Sequence, residues 1–186
     1  MRSSRLPWVL LAVALHMLLF EMGPGGADGW SYYAITESIW VDGDLDLADN
    51  DYGVSTFHVV NGRTITKYPP GTSLLDGPFL LAARALEPLA AGFRPDFGDR
   101  GKKPPYDRVD GRVFARIMAV SFAHNLFALI GLLFVYRALR ALDFSDGTAC
   151  VTALLTFFAS PMLFYASNGM SEAPSFLIAS GVLWLL

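Results

Sequence analysis

A single cysteine, Cys150, in 186 residues excludes an internal disulfide framework and any metal site built on paired cysteines. Charge is scarce too. Charged residues make up 17% of the chain and the formal net charge is −3. The basic residues are scattered or placed beside apolar segments, which leaves no basic face for nucleic acid, and none is expected as a partner. Internal repeats and low-complexity tracts are missing, so a solenoid or a disordered tail is not indicated. What abounds is apolar surface: 53% of residues are hydrophobic and the mean hydropathy is +0.40, too high for a soluble domain of this length. The lipid bilayer is the first partner implied.

The apolar runs set the expected topology. Residues 6–22 follow the basic head MRSSR and precede the breaker GPGG, reading as a short transmembrane helix, with a signal peptide cleaved after Ala27 as the alternative. Either places residue 28 outside, and in the spanning case the N-terminus is cytoplasmic. His16 and Glu21, polar in or at the end of this run, are read as facing a bundle interior. The strongest span is 114–136, and Arg137 and Arg140 directly after it mark a cytoplasmic end. Residues 147–167 return across the bilayer, 168–172 lie outside, and 173–186 begin a further span. That last run has 14 residues where a spanning helix needs about 20, so a longer protein is expected. Residues 71–93 contain Asp76, Arg84 and Glu87 with Pro78 and Pro88. At roughly 2.5–3.5 kcal/mol per charge at mid-bilayer, they are read as a helix lying in the outer interface. The basic stretch 94–116, with Lys102 and Lys103, then also sits outside. The expected fold class is all-α: a polytopic transmembrane helical bundle, of which residues 1–186 are the N-terminal part, with a long first extracytoplasmic loop, 23–113, carrying interfacial helices.

Several polar groups could carry chemistry. In GWSYYAITESIW, Trp30, Tyr33, Glu37 and Trp40 recur at helical spacing, and Tyr32, Ile35 and Ile39 form a second stripe, as in a helix at the headgroup level. Asp28 stands at its start and reads as an N-cap or as a functional carboxylate. The run DGDLDLADNDY places aspartates at 42, 44, 46, 49 and 51. The first three match early calcium-loop positions, but Leu47 and Gly53 stand where an EF-hand needs Gly and Glu. A looser site for a divalent metal ion remains open beside the plainer reading, a solvated extended segment in which Leu45 and Leu47 share an apolar face. His58 is a candidate metal ligand. His124-Asn125, mid-span, reads as a buried pair hydrogen-bonded between helices.

The order of these elements resembles the integral-membrane glycosyltransferases of the GT-C superfamily, in particular protein mannosyltransferase and aminoarabinose transferase relatives. The likeness rests on Asp28 ahead of the Tyr32-Tyr33 helix, then Asp42-Gly43-Asp44. Lys67-Tyr68-Pro69-Pro70-Gly71 is similar to the K-P-P-L stretch of those families and to the Y-P-G of the oligosaccharyltransferase catalytic subunit. Arg116 heads an apolar run ending in Tyr136-Arg137-Ala138-Leu139-Arg140. Ser160-Pro161-Met162-Leu163-Phe164-Tyr165 is followed by Ser171-Glu172-Ala173-Pro174. Two departures are visible: Asp28 is followed by Gly29 where many relatives have Asp-Glu, and Glu172 stands where Asp is usual.

That resemblance implies an enzyme of the plasma (inner) membrane of a bacterium, moving a sugar from a polyprenyl-phosphate or polyprenyl-diphosphate carrier to an acceptor at the outer face. Asp28 would be the base or acceptor-orienting group, with Glu172 a second carboxylate on the same side. The chemistry is consistent: an attacking hydroxyl must lose its proton to a nearby base, and a leaving phosphate needs positive charge from Lys, Arg or a divalent cation. Lys67 and Arg63 are candidates for that charge, against a reading as solvated or headgroup-facing cations. Tyr33 is a candidate for substrate contact. No cofactor other than a divalent metal ion is suggested. The competing reading is a secondary transporter, or another non-enzymatic membrane protein, with Arg116, His124 and Asn125 lining a pathway. The weight of charge in the outer loop favours chemistry on a lipid-borne substrate.

Overall fold

The structure, a computed structural model, describes residues 26–50, 52–53, 55–98, 101, 104–161 and 171–186. The run 6–22, with His16 and Glu21, and the residues Lys102 and Lys103 lie outside the described residues. The chain is mostly helical. Helices α1 (Gly26–Glu37), α2 (Gly71–Ala90), α3 (Gly111–Ala141), α4 (Asp146–Phe158) and α5 (Glu172–Leu185) are joined by a two-stranded antiparallel sheet, β1 (Phe57–Val60) and β2 (Arg63–Thr66). The helices agree with the all-α expectation, and the hairpin is an addition to it. Its cause is local: Asn61 and Gly62 take φ of 52° and 78°, the pair of positive angles that a two-residue type I′ turn requires, and Asn-Gly favours it strongly. The register pairs Val60 with Arg63 and His58 with Ile65.

The described residues fall into two compact units, 26–123 and 124–161 with 171–186. In the first, α1 is the centre. Trp30, Tyr32, Tyr33, Ala34 and Ile35 are all buried, packed with Leu47, Tyr52, Leu80, Val109, Ile117 and Val120. Both stripes of α1 are therefore covered by protein, which corrects the expectation of a helix with one face in the headgroups. A single turn of π-helix, Ser38–Asp42, continues α1 and closes at Gly43, whose φ of 81° is open to glycine without strain. Pro69 and Pro70 precede α2, where a missing N–H costs nothing. One side of α2 packs inward through Ser73, Asp76, Gly77 and Leu80. Trp40 Nε1 donates to the Ser73 carbonyl at 3.1 Å, and the ring lies so close to Gly77 that a Cβ there would fall 1.9 Å from it.

In the second unit, Ala128, Leu132, Tyr136, Ala149, Cys150, Ala153, Phe157 and Ala173 form the core. Small residues let helices approach closely, and Gly131 lies against the Phe176 ring. Helix α3, 31 residues long, extends for about 46 Å. Among the described residues it is the one helix long and apolar enough to cross a membrane. Of the expected span 147–167, the described part holds one shorter helix, and residues 162–167 lie outside the described residues. Capped by Ser145, whose side chain accepts from the Thr148 N–H, α4 ends at Phe158 after 13 residues, about 20 Å. Pro161 explains the stop, because the residue before a proline is pushed out of the helical region. Residues 162–170 lie outside the described residues.

Candidate functional site

The two compact units hold the expected site residues separately, Asp28, Tyr33, Arg63 and Lys67 in one and Glu172 in the other. Asp28 is the third residue of α1 and lies in its first turn, so it is inside the helix and not its N-cap. A carboxylate there is favoured by the helix dipole. Its Oδ1 accepts a hydrogen bond from the Tyr68 hydroxyl, 40 residues further along the chain. Partial burial and then the Asp28 carboxylate push the Tyr68 phenol up to about 12, so Tyr68 is a protonated donor throughout the neutral range. The Tyr68 ring lies 5.1 Å from that of buried Tyr32, which fixes it from behind. Lys67 Nζ sits 5.0 Å from the centre of the same ring, a cation–π distance. Asp28, Tyr68 and Lys67 thus form one exposed constellation: an acceptor with one oxygen held and one facing solvent, and a cation beside it.

Tyr33 is turned inward and 1% exposed; it makes no surface for a substrate. Its hydroxyl donates to Glu37 Oε1 at 2.7 Å, and Tyr52 donates to the other oxygen, Oε2. Arg116 Nη1 reaches Glu37 Oε1 at 2.8 Å, while its Nε reaches Glu87 Oε1 at 2.6 Å. Burial first, then the Glu37 charge, raises both phenols, Tyr33 and Tyr52, above the ordinary tyrosine value, so both stay donors. This buried network ties α1, α2 and the start of α3 together. The sequence pattern names Glu37 and Arg116 but not their pairing, which joins positions 79 residues apart.

The acidic run is built from its own carboxylates. Asp42 accepts from Asn50 Nδ2 at 2.7 Å, and Asp44 Oδ1 accepts from the Ser38 hydroxyl at 2.9 Å and the Asp46 N–H at 3.0 Å. Asp46 Oδ1 accepts from the N–H groups of Ala48 at 3.2 Å and Thr64 at 2.9 Å. The segment is a folded loop and not an extended strand: Leu47 is buried at 1% exposure while Leu45 is 57% exposed. One oxygen of each of Asp42, Asp44 and Asp46 is engaged by these hydrogens, and among the described residues no cluster of three or more His, Cys, Asp or Glu could hold a metal ion. His58 is exposed on β1. His124 and Asn125 are buried in α3.

Arg63 opens β2 and is exposed. It lines a groove of about 490 Å³ with Ile39, Asp44, Leu45, Pro70 and Leu74. Glu172 is the first residue of α5, partly buried, with the Ser171 hydroxyl 3.5 Å from its Oε2. The signal that could have found Tyr68 was its place in Lys67-Tyr68-Pro69-Pro70. No protein-family model, curated protein or solved structure matches the chain.

Proposed function

We propose that the chain is part of a membrane glycosyltransferase that moves a sugar from a polyprenyl-phosphate or polyprenyl-diphosphate carrier to a hydroxyl acceptor at the outer membrane face. The observation that carries this reading is the convergence of Asp28, Tyr68 and Lys67. Two segments singled out for their resemblance to such enzymes meet through a hydrogen bond between them. The geometry suits the chemistry. Tyr68 holds Oδ1 of Asp28, leaving Oδ2 to take the acceptor's proton as the new carbon–oxygen bond forms at the anomeric carbon. The bond from that carbon to the phosphate oxygen breaks, and the polyprenyl phosphate or diphosphate leaves with the electron pair. Lys67 supplies positive charge for it. Glu172, in the other compact unit, opens a helix and is offered as a second carboxylate of the outer face, with no step assigned to it.

The test is Asp28→Asn in the full protein, assayed in membranes for transfer from a polyprenyl-phosphate donor. The variant should lose about 10²–10⁴-fold in rate, the usual contribution of a positioned base. Undiminished transfer would remove Asp28 from the mechanism. A second reading, a transporter, is favoured by one observation: Ser121, His124 and Asn125 are buried polar residues within α3, and such groups mark pathways in membranes. Substrate uptake into vesicles abolished by Asn125→Ala, with no sugar transfer detected, would favour it.

A further inference from the structure

Tyr68 lies in the short link 67–70 between β2 and α2, so its place beside Asp28 depends on where α2 begins. That beginning is fastened at Ser73, which has no exposed surface. The Ser73 hydroxyl donates to the Tyr32 carbonyl of α1 at 2.9 Å, and the Ser73 carbonyl accepts from Trp40 Nε1 at 3.1 Å. Tyr32 stands one turn along α1 from Asp28, and its ring is the one packed 5.1 Å from that of Tyr68.

Trp40 closes this chain of contacts from the far side. It belongs to the π-helical turn Ser38–Asp42, whose wider winding carries the residues after Glu37 off the face that a continued α-helix would give them. The turn is locked at Ser38: its hydroxyl donates to Asp44 Oδ1 at 2.9 Å, and its carbonyl accepts from the Gly43 N–H at 2.8 Å. The indole then covers Gly77, one turn beyond Ser73, where a Cβ would lie 1.9 Å from the ring. Donor and ring together grip two successive turns of α2. Single π-helical turns within helices recur at functional sites.

We propose that Trp40 is a positioning residue: it clamps the start of α2 onto α1 and thereby sets the Tyr68 hydroxyl on Asp28. A tyrosine in an unclamped link would sample several rotamers, and a misplacement of about 1 Å can cost as much as 10²-fold in rate. The bearing of the clamp on sugar transfer rests on the transferase reading. The clamp itself is a property of the fold and is measured without a substrate.

The full chain is prepared in detergent with tyrosine labelled with carbon-13 at Cζ, and Tyr68→Phe assigns the Tyr68 resonance. In Trp40→Leu, which removes both the donor and the ring, that resonance should shift at neutral pH. Its titration should fall from about 12 toward the ordinary value near 10, because partial burial and the Asp28 contact are lost together. Gly77→Ala, which drives the indole out, should move it the same way. Gly131→Ala, a packing change in the other compact unit, should lower stability and leave the Tyr68 resonance where it was. In membranes, Trp40→Leu should slow transfer about two- to tenfold, as loss of the Tyr68 hydroxyl does, and cost less when added to Tyr68→Phe. A Tyr68 resonance and titration unchanged in either Trp40→Leu or Gly77→Ala, or moved as far by Gly131→Ala, would overturn the proposal, as would an equal loss of transfer with and without the Tyr68 hydroxyl. A displaced Tyr68 in Trp40→Leu together with full transfer by Asp28→Asn would leave the clamp standing and sink the assignment of Asp28. An undisturbed Tyr68 with transfer lost in Asp28→Asn would do the reverse.

Discussion

The Tyr68 hydroxyl is the group on which the candidate site turns, because it decides which oxygen of Asp28 is free. Tyr68→Phe removes the donor and little else, and should reduce sugar transfer by about 0.5–1.5 kcal/mol of orienting energy, roughly two- to tenfold in rate. A separate readout is the phenolate absorbance of the folded protein. With its pKa pushed up to about 12 from an ordinary value near 10, Tyr68 stays protonated in the fold where the unfolded chain has begun to ionise. Its contribution to stability is therefore complete below about pH 10 and is lost as pH rises toward 12. Asp28→Asn should move its titration downward, though not fully, since partial burial is the larger cause. Asp28 and Lys67 were singled out by motif order alone, and their roles rest on the proposal. Tyr68 was not, because its partner lies 40 residues away and only the folded loop brings them together.

Among the elements, α1 shows what periodicity can and cannot say. Its stripes of Trp30, Tyr33 and Trp40, and of Tyr32 and Ile35, correctly mark a helix with apolar faces. A stripe does not say whether lipid or protein covers it, and here protein does. The hairpin was not read from the sequence although Asn61-Gly62 is a turn signal, because its four-residue strands are too short to show alternation against an apolar background. Arg116 is the element-scale joint. Arg116→Ala leaves Glu37 buried without its cation and should cost about 3–5 kcal/mol in unfolding free energy; adding Glu37→Gln should restore much of the loss. Denaturant unfolding of the full chain in detergent measures both, and an Arg116→Ala midpoint equal to the parent's would show the network to be dispensable. At the packing of α3 on α5, Gly131→Ala would set a Cβ 2.6 Å from the Phe176 ring. A cost of about 1–3 kcal/mol is expected, relieved when Phe176→Leu is added.

For the molecule as a whole, the charge distribution and α3 make the clearest claim about sidedness. With Cys150 replaced by Ala, single cysteines at positions 50 and 142 should differ: position 50 labelled by an impermeant thiol reagent from outside, position 142 only after permeabilisation. The opposite pattern would invert the topology and move Asp28 to the wrong face for a lipid-linked donor. The long apolar helix over 114–136 was legible because twenty-odd mostly apolar residues run there without a breaker. The end of α4 at Phe158 was not read from the apolar run, since the proline three residues on outweighs it. The run of aspartates has a consequence for how its loop opens. Asp46 holds the Thr64 N–H and Leu47 donates to the Thr64 carbonyl at 2.8 Å, so the acidic loop and β2 share their fastenings. In amide hydrogen exchange, Leu47, Ala48 and Thr64 should therefore trade protons for deuterons at one common rate, as a single cooperative unit.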